Sequence, residues 1–371
     1  MAASEHRSPR VALLTTSWPR DERDATGRFL AVQVEQLRAA GMQVEIVGPR
    51  QPGLAGFNAV GLSGDGGIVA NAKRRPWRLP LLLWNMAWAI RHAARRSGGA
   101  DVVHANWLLT APLAAFAGKP VVLTLHGSGT AGRFDDLGLA ARHPRLFRWL
   151  IRRAAVVTAV SAPLADAARA AGARHVVEIP HGVEVPRART RENEDASGGE
   201  PIVLVAGRLS PEKGVAVLAA AWPSVRGARL SVAGDGSERH LLAPIADELH
   251  GFVTHARLQE LYAAADLMVM PSLSEGFGVT ALEAMAAGIP VVASRVGGLA
   301  GLVEHEVTGL LVPPSDPEAL AAALQRLIDD SNLRKTLGAA ARRRAADRYG
   351  WQRVVTLWRD AYASAANPGG A

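Results

Sequence analysis

Short apolar runs recur along the chain, each closed by a glycine or polar loop and followed by a stretch with apolar residues at helical spacing. The first, VALLTTSWP, begins at Val11, breaks into a proline-containing loop, and leads to a helical stretch from Arg28 to Gly41. VEIVG (44–48), DVVHANW (101–107), PVVLTLHG (120–127), AAVVTAVS (154–161) and HVVEIPHG (175–182) read as further buried strands. Residues 187–200, RARTRENEDASGGE, interrupt this rhythm with a polar, glycine-tailed linker. The pattern then restarts with PIVLVAGRL (201–209), RLSVAGDG (229–236), ADLMVMPS (265–272) and PVVASRVGG (290–298). A helix is expected from about Pro317 to Ile328, and a final Arg-rich helical stretch from about Ser331 to Ala366.

Strands apolar on both faces that alternate with helices predict parallel sheets. The expected fold class is α/β: two Rossmann-like domains with parallel sheets facing across a cleft. The N-terminal domain is expected over 1–186, the linker over 187–200 and the C-terminal domain over 201–350. A C-terminal helix over 351–371 is expected to pack back toward the first domain. Ligands of such sheets sit at the carboxyl ends of the strands.

Composition narrows the chemistry. A chain of 371 residues suits two domains of ordinary size, and 49% hydrophobic with 20% charged residues excludes a disordered chain. There is no cysteine, so disulfides, thiolate metal sites and a cysteine nucleophile are all excluded. The apolar run Leu79 to Ile90 is far shorter than the ~20 residues that cross a bilayer, and MAASEHRSPR lacks the apolar core of a signal peptide. A cytoplasmic protein is expected, with the inner face of the membrane as a further location. The net charge of +8 is unevenly placed: residues 1–190 hold 25 basic and 13 acidic side chains, residues 191–371 hold 17 and 21. The basic half suits an anionic partner, such as a membrane surface or a phosphorylated substrate, or reflects an arginine bias of 38 Arg to 4 Lys. Nucleic acid is not expected, because no zinc-finger, RNP-type or basic-zipper pattern is present.

Three elements in fixed order carry most of the functional information: GRLSPEKG (207–214), AGDG (233–236) and PSLSEGFGVTALEAMAAGIPVVAS (271–294). In the third, Glu275 sits in a strand-end loop, and Gly276 and Gly278 let the backbone turn tightly toward a ligand. A helix starts near Gly278 and ends at Gly288, before Pro290. Amides at such a helix start make an anion site. Glu283, on the second turn, is placed to accept hydrogen bonds from a vicinal diol such as a ribose. Arg208 and Lys213, five residues apart on one loop, can clamp a pyrophosphate without a metal.

On these residues the sequence resembles a family 4 retaining glycosyltransferase with the GT-B fold. GRLSPEKG, the E-x7-E run EGFGVTALE (275–283), the GG at 297–298 and VTGLLVPPSDPEALAAAL (307–324) carry the resemblance. It implies that Arg208 and Lys213 bind the nucleotide diphosphate, and that Glu275 and the amides of Gly276, Phe277, Gly278 and Val279 meet the donor sugar. It also implies that Glu283 binds the ribose. In the first domain it gives Gly27 a backbone that faces the diphosphate, and His126 a place beside the donor sugar. The implied catalytic set is His126, Arg208, Lys213 and Glu275. No cofactor or metal is expected, the nucleotide-diphosphate sugar being a substrate. No D-x-D triplet occurs that would hold a divalent cation. UDP is the expected nucleotide, with a base pocket near Phe252 and Val253. The acceptor stays open among a lipid-linked sugar, a polysaccharide end and a small molecule.

Other patterns compete. GSGTAG (127–132) matches G-x-G-x-x-G, but the next strand ends in Ser161 and not in an acidic residue, so it is read as an acceptor-side loop. His250 and His255 are read as a loop and a helix start, not metal ligands. KRRPWRLPLLLWNMAWAIRHAARR (73–96) fits a core helix with solvated ends or a helix docked on an anionic membrane, and the core is preferred; RHPRLFRWLIRR (142–153) is treated alike. Two rival functions remain: a sugar-nucleotide epimerase or phosphorylase on the same scaffold, and a non-catalytic nucleic-acid-binding protein.

Overall fold

The computed structural model describes residues 8–19, 27–49, 57–59, 74–96, 98–127, 136–186 and 199–367. Most of the expected linker and most of the GSGTAG loop lie outside them. Contacts divide the chain into two units, one of Met1–Pro180 with Val354–Ala371 and one of His181–Arg353.

The first unit runs β1 (Val11–Leu14), α1 (Arg28–Ala39), β2 (Val44–Val47), α2 (Leu79–Arg95), β3 (Val102–Ala105), α3 (Ala111–Ala115), β4 (Val121–Leu125), α4 (Asp136–Arg142), α5 (Pro144–Ile151), β5 (Val156–Ala159), α6 (Ala162–Ala170) and β6 (Val176–Glu178). Its six strands are parallel in the order β2-β1-β3-β4-β5-β6. The direction of travel reverses between β1 and β3, which opens a crevice at their carboxyl ends. Every residue of β1, β3, β4 and β5 is buried, as continuous apolar runs demand in a sheet covered on both faces.

The second unit repeats the plan with β7 (Ile202–Ala206), α7 (Val215–Ala221), β8 (Arg229–Ala233), α8 (Arg239–Leu242), β9 (Glu248–Gly251), α9 (His255–Ala264), β10 (Leu267–Met270), α10 (Val279–Ala286), β11 (Val291–Ser294), α11 (Leu299–Leu302), β12 (Gly309–Val312), α12 (Pro317–Asp329) and α13 (Ser331–Tyr349), and a last helix, α14 (Trp351–Ala366), falls to the first unit from Val354 onward. Its parallel sheet has the order β12-β11-β10-β7-β8-β9, so its reversal falls between β7 and β10. Two of these strands are absent from the sequence reading. β9, ELHG, is a half-buried edge strand and lacks the apolar run that marks a central one. β12, GLLV, is buried but short, and lies between Thr308 and Pro313 with only the four-residue α11 before it.

The helical stretch expected from about Ser331 to Ala366 is two helices, the second starting at Trp351, the first residue of the helix expected over 351–371. Gly350 has extended backbone (φ −60, ψ 141) and ends α13, and Val183 donates its N–H to the Tyr349 carbonyl (2.9 Å) beside the break. That pairing also places His181–Pro186 with the second unit, six residues before the boundary expected at 186. Beyond the break, α14 buries Val354, Val355, Trp358, Ala361, Tyr362 and Ala365, a stripe at helical spacing. Residues from Val354 onward belong to the first unit. There Tyr362 and Trp358 meet His104 of β3.

Candidate functional site

In the second unit, the two loops at the reversal point are joined through their backbones. After β7 the chain passes Arg208 and forms a single tight helical turn, Pro211–Lys213. The Glu212 carbonyl accepts from the N–H groups of Leu273 (2.9 Å) and Ser274 (3.2 Å), in the loop after β10. Gly214 leaves that turn at φ 66, and any side chain there would run into the Pro271 carbonyl. The result brings Lys213 to Glu275: its Nζ donates to Oε2 at 2.5 Å, and the carboxylate is only 9% exposed. A charge-assisted contact of this kind fixes an ammonium in one place. Arg208 is more open, 45% exposed, with Nη1 3.6 Å from Glu212 Oε1. A contact of that length and exposure is weak and leaves the guanidinium able to turn to an anion.

The loop bearing Glu275 is packed against the one after β11. The Gly298 N–H donates to the Glu275 carbonyl (2.9 Å). A Cβ at Gly297 would strike that carbonyl, and one at Gly298 would strike the carbonyl of Gly276. The GG pair is therefore needed for close approach of two backbones. Gly278 is the N-cap of α10 in a left-handed conformation (φ 100). Intrahelical bonding begins with the Leu282 N–H to the Gly278 carbonyl, so the first-turn amides, Val279 and Thr280 among them, point past the helix start. The Phe277 ring is buried edge-on against His181 and Tyr349, so only the backbone of Phe277 is available to a ligand.

Glu283 stands on the second turn of α10. Tyr262, fully buried in α9, donates its hydroxyl to Glu283 Oε2 (2.9 Å) and to the Thr280 carbonyl (3.3 Å). Burial, then the Glu283 charge, push the Tyr262 hydroxyl well above its ordinary range, so it remains a proton donor. His255 Nδ1 lies 4.0 Å from the other carboxylate oxygen. Sequence reasoning missed Tyr262; a tyrosine at a fully apolar helix position was the available signal, because a buried hydroxyl needs an acceptor.

In the first unit, Gly27 and His126 both follow strands at the carboxyl edge. Gly27 caps α1 at φ 74, where a Cβ would press on the Ser17 carbonyl. His126 follows β4; its N–H donates to Asp136 (2.9 Å), and its Nε2 donates to Asn106 Oδ1 (3.1 Å). Asn106 follows the neighbouring β3, so adjacent strand ends hold one imidazole. Burial, partly offset by a hydrogen bond with the Asn106 backbone, lowers the His126 pKa to about 4 and keeps the ring neutral. Beneath it His104, fully buried, bonds through Nε2 with Thr124 Oγ1 (2.6 Å) and through Nδ1 with the Tyr362 hydroxyl (2.9 Å). Burial, then the neighbouring His126, hold its pKa at about 3.

Other candidates fall elsewhere. His250 lies in strand β9 and not in a loop, with Nε2 3.0 Å from Ser231 Oγ, while His255 begins α9 as expected. Among the described residues no three His, Asp or Glu side chains gather in a way that could hold a metal ion. Phe252, just past β9, has a largely exposed ring. A cavity of about 1050 Å³ opens at the amino ends of the second sheet, lined by Ile202, Arg229, Asp266 and Pro290, on the opposite edge from Lys213 and Glu275.

Two parallel doubly wound sheets, with fixed cationic and carboxylate groups at the strand reversal of the second, define an α/β enzyme of the GT-B glycosyltransferase class. Residues 186–344 match the family described as "Glycosyl transferases group 1", and residues 26–187 match "Glycosyltransferase Family 4". The chain is 33% identical over 316 residues to a glycogen synthase of Mycobacterium tuberculosis, an alignment that covers 76% of each chain. Among solved structures it is similar to sucrose-phosphate synthase from Thermosynechococcus elongatus (TM-score 0.74, 26% identity, 96% of this chain and 100% of that one). HepE of Anabaena, solved with UDP-glucose, has the same fold (TM-score 0.70, 20% identity, 96% and 100% covered). The chain belongs to the family 4 glycosyltransferases.

Proposed function

We propose that the chain is a retaining, metal-independent glycosyltransferase that moves a hexose from a UDP-sugar to an acceptor hydroxyl. The observation that carries this reading is the Lys213–Glu275 contact at the start of α10, at the reversal point of the second sheet. Lys213, Arg208 and the first-turn amides supply the charge that a departing diphosphate requires, in the place a divalent cation takes in other transferases. Glu275, with the amides of Gly276, Phe277, Gly278 and Val279, holds the hydroxyls of the donor sugar. Glu283 takes the ribose diol, kept in orientation by Tyr262. Gly27 and His126 keep the roles that family resemblance gives them, toward the diphosphate and the donor sugar. The choice of uridine follows the donor that HepE carries.

In the reaction, the bond between the anomeric carbon and the β-phosphate oxygen breaks, and its electron pair leaves on UDP. The acceptor oxygen bonds to the same face of that carbon, which retains its configuration. The acceptor proton passes to the departing phosphate oxygen. Glu275 orients the sugar and is not a nucleophile, and no covalent enzyme intermediate forms. A neutral His126, or a backbone carbonyl beside it, meets the positive charge that develops on the sugar.

A thermal-shift panel of UDP-, GDP- and ADP-sugars tests the donor. UDP-sugars are expected to raise the melting temperature most, and a panel that leaves it unmoved overturns the reading. Glu283→Ala is expected to weaken UDP binding about 10–100-fold, the worth of hydrogen bonds to a charged group. Tyr262→Phe, which leaves the carboxylate but frees it to turn, is expected to raise the donor KM about three- to tenfold at nearly constant kcat. A loss confined to kcat in steady-state assays would contradict that positioning role.

A further inference from the structure

α2 has two apolar faces. One, Leu82, Met86, Ala89, Ile90 and Ala93, is buried against the sheet, as a core helix requires. A core helix with solvated ends accounts for this face alone. The other begins in the turn before the helix: Trp77, Leu81, Trp84 and Trp88 follow one another at steps of four, three and four, and are 70%, 51%, 70% and 52% exposed. Arg91 and Arg95 continue the same line. Trp and Leu on a solvent-facing stripe have no role in the core.

The neighbouring helices extend this stripe. β2 to β3, β3 to β4 and β4 to β5 all cross in one direction along the sheet. Right-handed crossovers therefore put α2, α3 and α5 on one face, and α3 packs against both of the others. Phe116, at the end of α3, is 60% exposed with the Arg91 guanidinium 5.4 Å from its ring centroid. On α5, Phe147 and Leu150 are buried, whereas Leu146 and Trp149 are exposed, and Arg153 lies 3.5 Å from the Trp149 ring centroid. Among the described residues, every exposed large apolar side chain of the first unit lies on or beside these three helices. The patch is also strongly cationic. Residues 73–96 hold seven Lys and Arg and no acidic residue, and residues 142–153 hold five Arg and none.

We infer that this face of the first unit docks on an anionic lipid bilayer, with the tryptophans at the headgroup layer and the arginines on lipid phosphates. Amphipathic aromatic rings sit at that depth, and basic side chains beside them add attraction to anionic lipid. A second copy of the chain is a poorer occupant: a two-fold contact sets the same patch against itself, and so sets arginine against arginine with no carboxylate on either segment. Among the described residues no helix is long and apolar enough to cross a membrane, so the contact is peripheral.

The test is co-sedimentation of the full chain with vesicles of phosphatidylcholine alone or mixed with phosphatidylglycerol. Binding to the mixed vesicles is expected to exceed binding to neutral ones by about tenfold or more. Trp84→Ser/Trp88→Ser and, separately, Arg145→Glu/Arg148→Glu are each expected to reduce it about tenfold or more. The altered side chains are exposed, so melting temperature and the UDP-induced thermal shift are expected to stay unchanged. Absence of binding to mixed vesicles, equal binding to neutral ones, or full binding by either variant overturns the inference. So does a dimer that Trp84→Ser/Trp88→Ser dissociates while wild-type protein ignores vesicles. The vesicle result does not depend on the donor assignment: a chain that ignores UDP-sugars yet binds anionic vesicles overturns the proposed function and leaves the docking face standing.

Discussion

Lys213→Ala is expected to lower kcat about 10²–10³-fold, with a smaller rise in donor KM. The magnitude is that of removing one preorganised donor aimed at developing charge, about 3–4 kcal/mol. Under the proposed mechanism this lysine is expected to matter more than its exposed neighbour Arg208. Its Nζ is already held at 2.5 Å from Glu275 at the helix start, so no reorganisation is needed as the diphosphate departs. Part of the loss comes from Glu275 itself, whose carboxylate is 9% exposed and is left without its cation near an anionic substrate. Glu275→Gln in the Lys213→Ala background separates the two contributions, and a partial recovery of turnover is expected. Lys213→Arg is expected to recover only a fraction, because a planar guanidinium does not reproduce a compact ammonium. Steady-state rates of UDP release in the presence of an acceptor measure all of these, and unchanged turnover in Lys213→Ala would remove the lysine from the mechanism.

The first unit is expected to lose up to about 4 kcal/mol of stability between pH 7 and pH 5 through the buried His104 and the half-buried His126. His104 and His126 have folded pKa values of about 3 and about 4 against an ordinary value of 6.5. Below pH 6.5 the unfolded chain takes up protons that the folded chain refuses, so stability falls as pH falls, and keeps falling until the folded values are reached. Each histidine contributes up to about 1.4 kcal/mol per pH unit in that window. The cost concentrates where His104 joins Thr124, Trp358 and Tyr362, so it also loosens the hold of α14 on the sheet. Hydrogen exchange in β3 and β4, compared with β7 and β10, reads the effect unit by unit. Equal protection of β3 and β4 at pH 5 and pH 7 would show that neither histidine is held neutral.

Much of the fold is legible in the chain because parallel strands buried on both faces must be apolar throughout. VVLTL and VVAS announce themselves, whereas ELHG does not, since an edge strand half open to water carries no such requirement. The helix expected over 351–371 begins at Trp351, but what holds the turn at Gly350, the pairing with Val183 and the ring of Trp351 against Gly182, joins residues far apart in the chain. Gly276 and Gly278 were readable as a tight turn, whereas the close approaches of Gly214 to the Pro271 carbonyl and of Gly297 to the Glu275 carbonyl were not.

By itself, then, the sequence determined two α/β units, the loops that carry charge, and the residue types available at the second sheet's reversal point, because hydrophobic period and glycine placement are local properties. The tertiary structure alone decided that Lys213 meets Glu275, that Tyr262 steers Glu283, that Asn106 and His126 share one edge, and that the tryptophans of α2 face outward. Each of these joins residues distant along the chain, or separates two faces of one helix, and only the packing of whole elements fixes such distances and directions.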